Sequence, residues 1–204
     1  MDKKSKRIMQ DRRRHQRVRF GNSPAILIGF GGASSQGSIE NISSSGLMLR
    51  TDLPLEIGRH AGCEFSLFGS PMIDVPVAIV SRVGDLYGVR FQGGLVSQVT
   101  IDDAVVTALA RGDASVLGVH EIEGRKVLRI SGGLNAGLRN DFMHALTRVG
   151  VDEIDVSEVT AVDQSGLALC AVATARYPVK IGAQSECFAK AWRAVENGPL
   201  GGVE

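Results

Sequence analysis

Two short polar signatures in the first quarter of the chain have the residue types and spacing of a ligand site. The first is Arg13-x-x-x-Arg17 in a basic arm, and the second is Asn41-x-Ser43-x-x-Gly46 between two strand-like runs. A guanidinium binds phosphate bidentately, and its plane stacks on a flat base. Asn and Ser side chains offer donors and acceptors, and a glycine lets the backbone turn closely beside a ligand. Together the signatures suit a compact nucleotide that carries more than one phosphate.

Each signature also has a simpler interpretation when it is taken alone. An arginine run is usually a solvated tail or an unspecific nucleic-acid patch, and a Ser-Ser-Ser-Gly run is typical of an ordinary loop. Residues 1–20 hold nine Lys or Arg against two Asp, a local charge of +7, so the remaining chain carries about −6 of the overall +1. This arm predicts an anionic partner. The absence of aromatic residues between its cations argues against nucleic acid.

The composition predicts a folded cytoplasmic protein with reduced thiols. The 204 residues are 44% hydrophobic and 22% charged, and they allow one large or two small domains. The three cysteines, Cys63, Cys170 and Cys187, are odd in number and far apart, so they suggest neither a disulfide framework nor a zinc site. The N-terminus lacks the apolar segment of a secretory signal. The longest apolar stretch, 166–175, is about half the length of a membrane span.

The elements that would position the two signatures are short strands. Six strand-like runs, separated by Gly or Pro, predict a small antiparallel β-barrel in the first half, and Val18 and Phe20 are expected to begin packing where the arm enters it. The six runs are Ala25–Phe30, Gly37–Ile42, Leu47–Leu49, Cys63–Phe68, Val75–Val80 and Tyr87–Phe91.

The pattern of the second half alternates between strands and helices and predicts an α/β sandwich. A helix over Val105–Ala110, broken at Gly112, leads into it. The predicted strands are Val127–Ser131, Glu153–Val156 and Val179–Ile181. The predicted helices are one with Leu138, Phe142, Leu146 and Val149 on its apolar face, a buried one over Gly166–Arg176, and a last one with Phe188, Trp192 and Val195. Asn135 and Ser185 are expected to cap helices, and Gly150 and Gly198 to follow helix ends.

The first half resembles the PilZ family, over about residues 10 to 95. The resemblance rests on Arg13, Arg17, Asn41, Ser43 and Gly46, in that order, and on a closing strand at Tyr87–Phe91. It implies specific binding of cyclic di-GMP, with the two arginines on phosphate and guanine and the second signature at the other face of the ligand. Two domains are therefore expected: a barrel with its arm over 1–95 and, after a helical linker over 96–117, an α/β domain over 118–197.

The arginines that flank the first position of the arm signature are further ligand candidates. In PilZ domains the residue type immediately before the motif is associated with whether one cyclic di-GMP or a stacked pair is bound. The guanidinium of Arg12 could cover a second guanine, so the resemblance favours a dimeric ligand. Solvated side chains are the alternative for Arg12 and Arg14.

The second half resembles the STAS domain of anti-sigma-factor antagonists, over about residues 118 to 197. The segment Asp163-Gln164-Ser165-Gly166-Leu is similar to the Asp-x-Ser-Gly-Leu of that family, although Gln164 stands where a small residue is commoner, and 132–135 departs from the usual acidic motif. The resemblance implies that Ser165 is a candidate for phosphorylation by a partner kinase. Phosphate at a helix N-terminus would change the charge by nearly two units. The alternative is that Ser165 is simply an N-cap.

The sequence predicts a signalling adaptor and not an enzyme. The four histidines are scattered without metal-ligand spacing, and there is no phosphate-binding loop or dinucleotide fingerprint. We therefore expect cyclic di-GMP as the ligand, no cofactor and no metal, with an unidentified protein partner at the STAS-like domain reached through Val99–Ala110. A homodimer is left open. The alternatives are a protein-interaction scaffold with a degenerate barrel, and an arm that binds nucleic acid.

Overall fold

Eleven strands within the described residues lie in one continuous hydrogen-bonded sheet. The computed structural model describes residues 17–196. The spatial order of the strands is β11-β10-β9-β8-β1-β3-β2-β5-β6-β7-β4, and a further pairing of β4 with β3 closes part of the sheet into a ring. The strands are β1 (Val18–Phe20), β2 (Ala25–Phe30), β3 (Ala33–Ser43), β4 (Gly46–Thr51), β5 (His60–Phe65), β6 (Ile73–Val83), β7 (Leu86–Phe91), β8 (Ala114–Ile122), β9 (Arg125–Leu134), β10 (Glu153–Val162) and β11 (Lys180–Gln184).

The ring formed by β2 to β7 is the six-stranded antiparallel barrel that the sequence predicts. Its strands alternate between core and solvent: Ala61, Cys63 and Phe65 of β5 are buried, and the residues between them are exposed. The predicted strand Cys63–Phe68 is wrong at both ends, because β5 begins at His60 and stops at Phe65. Phe68 lies in the left-handed region with φ 46°, which a strand cannot accommodate.

Two strands that were not predicted, β1 and β8, join the barrel to the second half. β1 is antiparallel to β3 on one side and to β8 on the other. Residues 114–117, which we predicted to belong to a helical linker, therefore lie in a strand. The two strands escape a periodicity search because β1 has only three residues and the last four residues of β8 are all exposed.

The helix after the barrel, α1 (Leu95–Arg111), is longer than the predicted Val105–Ala110. Its first half is rich in β-branched residues, and Gly94 provides no side-chain cap, so the usual start signals are missing. Gly112 ends it with φ 77°, as predicted. Ile101, Ala104 and Ala108 are buried in the barrel core, so this helix is part of the barrel packing.

The second half is an α/β layer in which helices cover one face of β8 to β11. β8 and β9 are antiparallel, whereas β9, β10 and β11 are mutually parallel and are connected through helices. The helices are α2 (Arg139–His144), which lies between a 3-10 turn (Ala136–Leu138) and a π turn (Ala145–Val149), α3 (Gln164–Arg176) and α4 (Glu186–Glu196). Their apolar residues share a second core with β9 and β10, distinct from that of the barrel.

Three of the four predicted helix-boundary residues are confirmed. The Asn135 side chain accepts a hydrogen bond from the Gly137 amide, and Ser185 Oγ accepts one from the Phe188 amide at 3.3 Å. Gly150 ends its helix with φ 69°, and Gly198 lies outside the described residues. The predicted helix over Gly166–Arg176 is confirmed as α3, which begins two residues earlier, but it is not buried on all sides, because only Gly166, Cys170 and Ala173 are buried. None of the helices within residues 17–196 is long and apolar enough to cross a membrane.

Candidate nucleotide-binding site

The pairing of β1 with β3 brings the described end of the arm to the second signature. Val18 is opposite Ile42, and Arg19 is opposite Asn41, in an antiparallel register. Arg17 is exposed and immediately precedes β1, so it lies at the same end of this antiparallel pairing as Ser43, the last residue of β3. Arg12, Arg13 and Arg14 lie outside the described residues.

The second signature forms the end of β3 and the turn into β4. Ser43 Oγ donates to the carbonyl oxygen of Gly46 at 3.1 Å and lies 3.3 Å from Ser45 Oγ. Ile42 is fully buried in the barrel core, so by strand alternation Asn41 and Ser43 project to the opposite face. Asn41 is only 4% exposed. The Asn41 amide is therefore buried, whereas Ser43, two residues farther along β3, is partly exposed.

Gly46 has a packing role that is independent of any ligand. A Cβ at this position would collide with the carbonyl oxygen of Val89 on β7. The neighbouring Ser45 carbonyl accepts a hydrogen bond from the Phe91 amide at 3.0 Å, which fixes the turn against the end of β7. Glycine is thus needed here for close approach of two strands, which a sequence signature alone does not distinguish from contact with a ligand.

Arg19 is a charged residue beside the signatures that the sequence analysis did not single out. Its Nε donates to Asp141 Oδ2 on α2 at 2.9 Å, and its Nη2 donates to Oδ1 at 3.4 Å. Val18 and Phe20 on either side are buried. The alternation of apolar and charged residues in Val18-Arg19-Phe20 could have indicated this position, because in a strand it sets Arg19 on the face opposite the core.

The first turn of α3 shows that Ser165 is not the N-cap. Asp163 is the cap, and its Oδ1 accepts a hydrogen bond from the Gly166 amide at 2.7 Å. Ser165 is exposed in the first turn. The interpretation of Ser165 as a cap is therefore wrong, and its hydroxyl faces solvent at the positive end of the helix.

A separate cavity of about 340 Å³ lies between the barrel and the α/β layer. Its lining includes Asn22, Asp113, Asn135 and Asp163 and contains none of the predicted nucleotide ligands. Asp113 Oδ2 is buried and lies 3.1 Å from Arg111 Nε without an aligned hydrogen bond. Two carboxylates in the lining make this cavity a poor site for a phosphate-bearing ligand.

The titratable groups with shifted pKa values lie away from the two signatures. Burial raises the pKa of the Cys170 thiol to about 12, and burial together with the nearby Asp74 raises that of Cys63 to about 12, so neither thiol is reactive at neutral pH. Burial would raise the pKa of Asp155, but hydrogen bonds from Ser157 and the guanidinium of Arg129 outweigh it and hold that pKa below its usual value. Among residues 17–196 no group of three or more His, Cys, Asp or Glu could hold a metal ion.

Comparison with known proteins finds similarities for the barrel region. Residues 11–104 match the family model of the PilZ domain. The PilZ domain of Escherichia coli YcgR with c-di-GMP is 12% identical over 47% of this chain and 90% of that one, with a TM-score of 0.41. The K. pneumonia MrkH–c-di-GMP complex is 18% identical over 48% and 52% of the two chains, with a TM-score of 0.43. The PilZ domain of CeSA from a cellulose-synthesizing bacterium is 13% identical over 42% and 92%, with a TM-score of 0.37. No curated protein matches the chain.

Proposed function

We propose that this chain is a cyclic di-GMP receptor of the PilZ family that relays binding to a protein partner, because residues 11–104 match the family model of the PilZ domain. PilZ domains bind this nucleotide as a ligand and are not enzymes, which agrees with the prediction from the sequence. The proposed relay element is the α/β layer, which we assign as STAS-like. The proposed location is the cytoplasm.

The proposed ligand residues are those of the two signatures. Arg13 and Arg17 bind phosphate and stack on guanine, while Asn41, Ser43 and Gly46 form the second face. Arg12 and Arg14 are candidates for further contacts, with Arg12 covering a second guanine of a stacked pair. The observation that supports this proposal is the register of β1 on β3, because it pairs Arg19, two residues after Arg17, with Asn41 of the second signature.

Calorimetric titration with cyclic di-GMP tests the proposal. The wild-type chain should bind saturably, and the Arg13→Ala/Arg17→Ala variant should lose binding by at least about tenfold, since charge-assisted contacts contribute about 1.5–3 kcal/mol each. The matched control is Arg82→Ala. Arg82 lies over the Tyr87 ring at the opposite end of β7 from the Gly46 turn, so its removal should leave binding unchanged.

The same titration separates the alternatives. Saturation at two nucleotides per chain would support the role of Arg12, and one per chain would contradict it. Binding that rejects cyclic di-AMP and GTP excludes the nucleic-acid arm, which predicts affinity that falls steeply with salt and ignores the nucleotide. No binding at tens of micromolar cyclic di-GMP would favour the remaining alternative, a protein-interaction scaffold whose barrel is degenerate. Light scattering with and without nucleotide tests a homodimer.

Ser165 is the proposed phosphorylation site of the STAS-like half. Its exposure in the first turn of α3 supports access by a kinase, and added phosphate there would interact with the helix N-terminus. Phosphopeptide mass spectrometry of the protein isolated from its cells tests this proposal. Phosphate on Ser165 that is lost in Ser165→Ala would support it, and its absence in the presence of the partner kinase would contradict it.

A further inference from the structure

The three-residue strand β1 is hydrogen-bonded to both halves of the molecule. On one side Val18 and Arg19 pair with β3 of the barrel, and on the other Val18–Phe20 pair with Val116, Ser115 and Ala114 of β8. We propose that β1 is the relay through which nucleotide bound by the arm acts on the α/β layer. This inference rests on the proposed function, because it requires the arm to hold the ligand.

The two faces of β1 contact different halves. Val18 and Phe20 are buried in the barrel core together with Ala114 and Val116 of β8. Arg19 points to the other side and forms the two-point ion pair with Asp141 of α2. A displacement of β1 therefore changes the barrel core, the β8 ladder and the position of α2 at once.

The chain that follows β1 is also fixed to the second half. The Gly21 amide donates to the carbonyl oxygen of Asp113 at 3.2 Å. The side chain of Asn135 lies so close that a Cβ on Gly21 would be 3.2 Å from its Nδ2. Because Asn135 caps the turn that leads into α2, the end of β1 and the start of this helical segment are held together.

The other end of β1 begins one residue after Arg17, a proposed ligand residue. A guanidinium held on phosphate fixes the position of its backbone, and the next three residues are the whole of β1. Ligand thus restrains β1 in its pairing with β3, and the pairing of β1 with β8 transmits that restraint to the second half. This path differs from the expected one through Val99–Ala110, because β1 directly follows the proposed ligand residue Arg17 in the chain.

Hydrogen–deuterium exchange of the full chain, with and without saturating cyclic di-GMP, tests the relay. In the wild type, ligand should slow amide exchange at least about threefold in β8 and in α2, as well as in β3. Asp141→Ala should bind the nucleotide with unchanged affinity, keep the response in β8 and lose the response in α2. Asp141→Glu, which retains the carboxylate, should restore it.

Arg125→Ala is the matched control. It removes an ion pair to Glu153 within the second half that involves neither β1 nor α2, so the ligand-induced slowing of exchange in β8 and in α2 should remain.

Nucleotide that binds but slows exchange only within the barrel, or only in α1, would overturn the relay and leave the receptor function intact. If Asp141→Ala does not fold, Asp141→Asn takes its place. Ligand should then fail to slow amide exchange in α2 of Asp141→Asn and should slow it again in Asp141→Glu. A chain that binds no nucleotide would overturn the receptor function and the relay with it.

Discussion

At the scale of single residues, the second signature combines a packing requirement with a proposed ligand contact. Gly46 lies where β4 closely approaches β7, while Ser43 is partly exposed and Asn41 is buried. If a substitution of Gly46 reduces nucleotide binding, the cause can be a lost ligand contact or disturbed packing of β4 against β7. A stability measurement separates the two. Ser43 is the better residue for probing the ligand alone.

Gly46→Ala should destabilise the protein by about 1–3 kcal/mol, because the new methyl group overpacks against the Val89 carbonyl. Urea unfolding followed by circular dichroism measures the change. Gly62→Ala on β5 is the matched control, since nothing lies within 4 Å of its Cβ position. Equal stability of the two variants would show that β4 and β7 are not as close as described.

Asp155→Asn should lower stability by about 1.5–3 kcal/mol at pH 7, because the carboxylate accepts hydrogen bonds from Ser157 Oγ at 2.6 Å and Arg129 Nε at 3.1 Å. The folded pKa of Asp155 is below the ordinary 3.8, so this stabilisation is complete above about pH 5 and is lost as pH falls through the folded value. Thermal unfolding of both proteins between pH 7 and 2.5 measures it. A difference that stays constant with pH would contradict the ionic origin.

At the scale of elements, periodicity was sufficient where one face of an element is buried. The barrel strand Ala25–Phe30 was predicted to the residue, and the caps at Asn135 and Ser185 follow from side-chain chemistry that acts locally. β1 was missed because it has only three residues, and β8 was missed because its last four residues are all exposed. The predicted helix was shorter than α1 because β-branched residues lower the helix propensity of its first half. In the folded protein, burial against the barrel outweighs this low propensity.

Ile101→Ala should cost about 2–5 kcal/mol, because the side chain of this α1 residue is 1% exposed in the barrel core. Val106→Ala on the same helix is the control, and at 65% exposure it should change stability by less than about 0.5 kcal/mol. Denaturant unfolding gives both values. If Ile101→Ala proved as mild as the control, α1 would be a linker and not part of the core.

At the scale of the whole molecule, the barrel core does not end with the barrel strands. Ile101, Ala104 and Ala108 of α1 and Ala114 and Val116 of β8 belong to it. The sequence placed the boundary between 95 and 117, because the change of period is visible there while the contribution of later residues is not. The stabilities of fragments that end before or after α1 therefore test where the boundary between the two proposed domains lies.

A fragment of residues 1–122 should be more stable than one of residues 1–94 by at least about 3 kcal/mol, since it regains the buried Ile101 and Val116 side chains at about 1.5–3 kcal/mol each. Circular dichroism in urea is the suitable measurement, because the single tryptophan, Trp192, lies outside both fragments. Equal midpoints would place the boundary before α1.

The central place of β1 in the sheet also governs the order of assembly during synthesis. β1 leaves the ribosome before the other described strands, yet one of its neighbours, β3, begins 15 residues later along the chain and the other, β8, begins 96 residues later. The barrel can close and β3 can pair with one edge of β1 while the other edge of β1 still has no partner. Until residues 114–122 emerge, that edge exposes unpaired amide and carbonyl groups. The nascent chain therefore passes through a stage in which the strand beside the proposed nucleotide site is half paired.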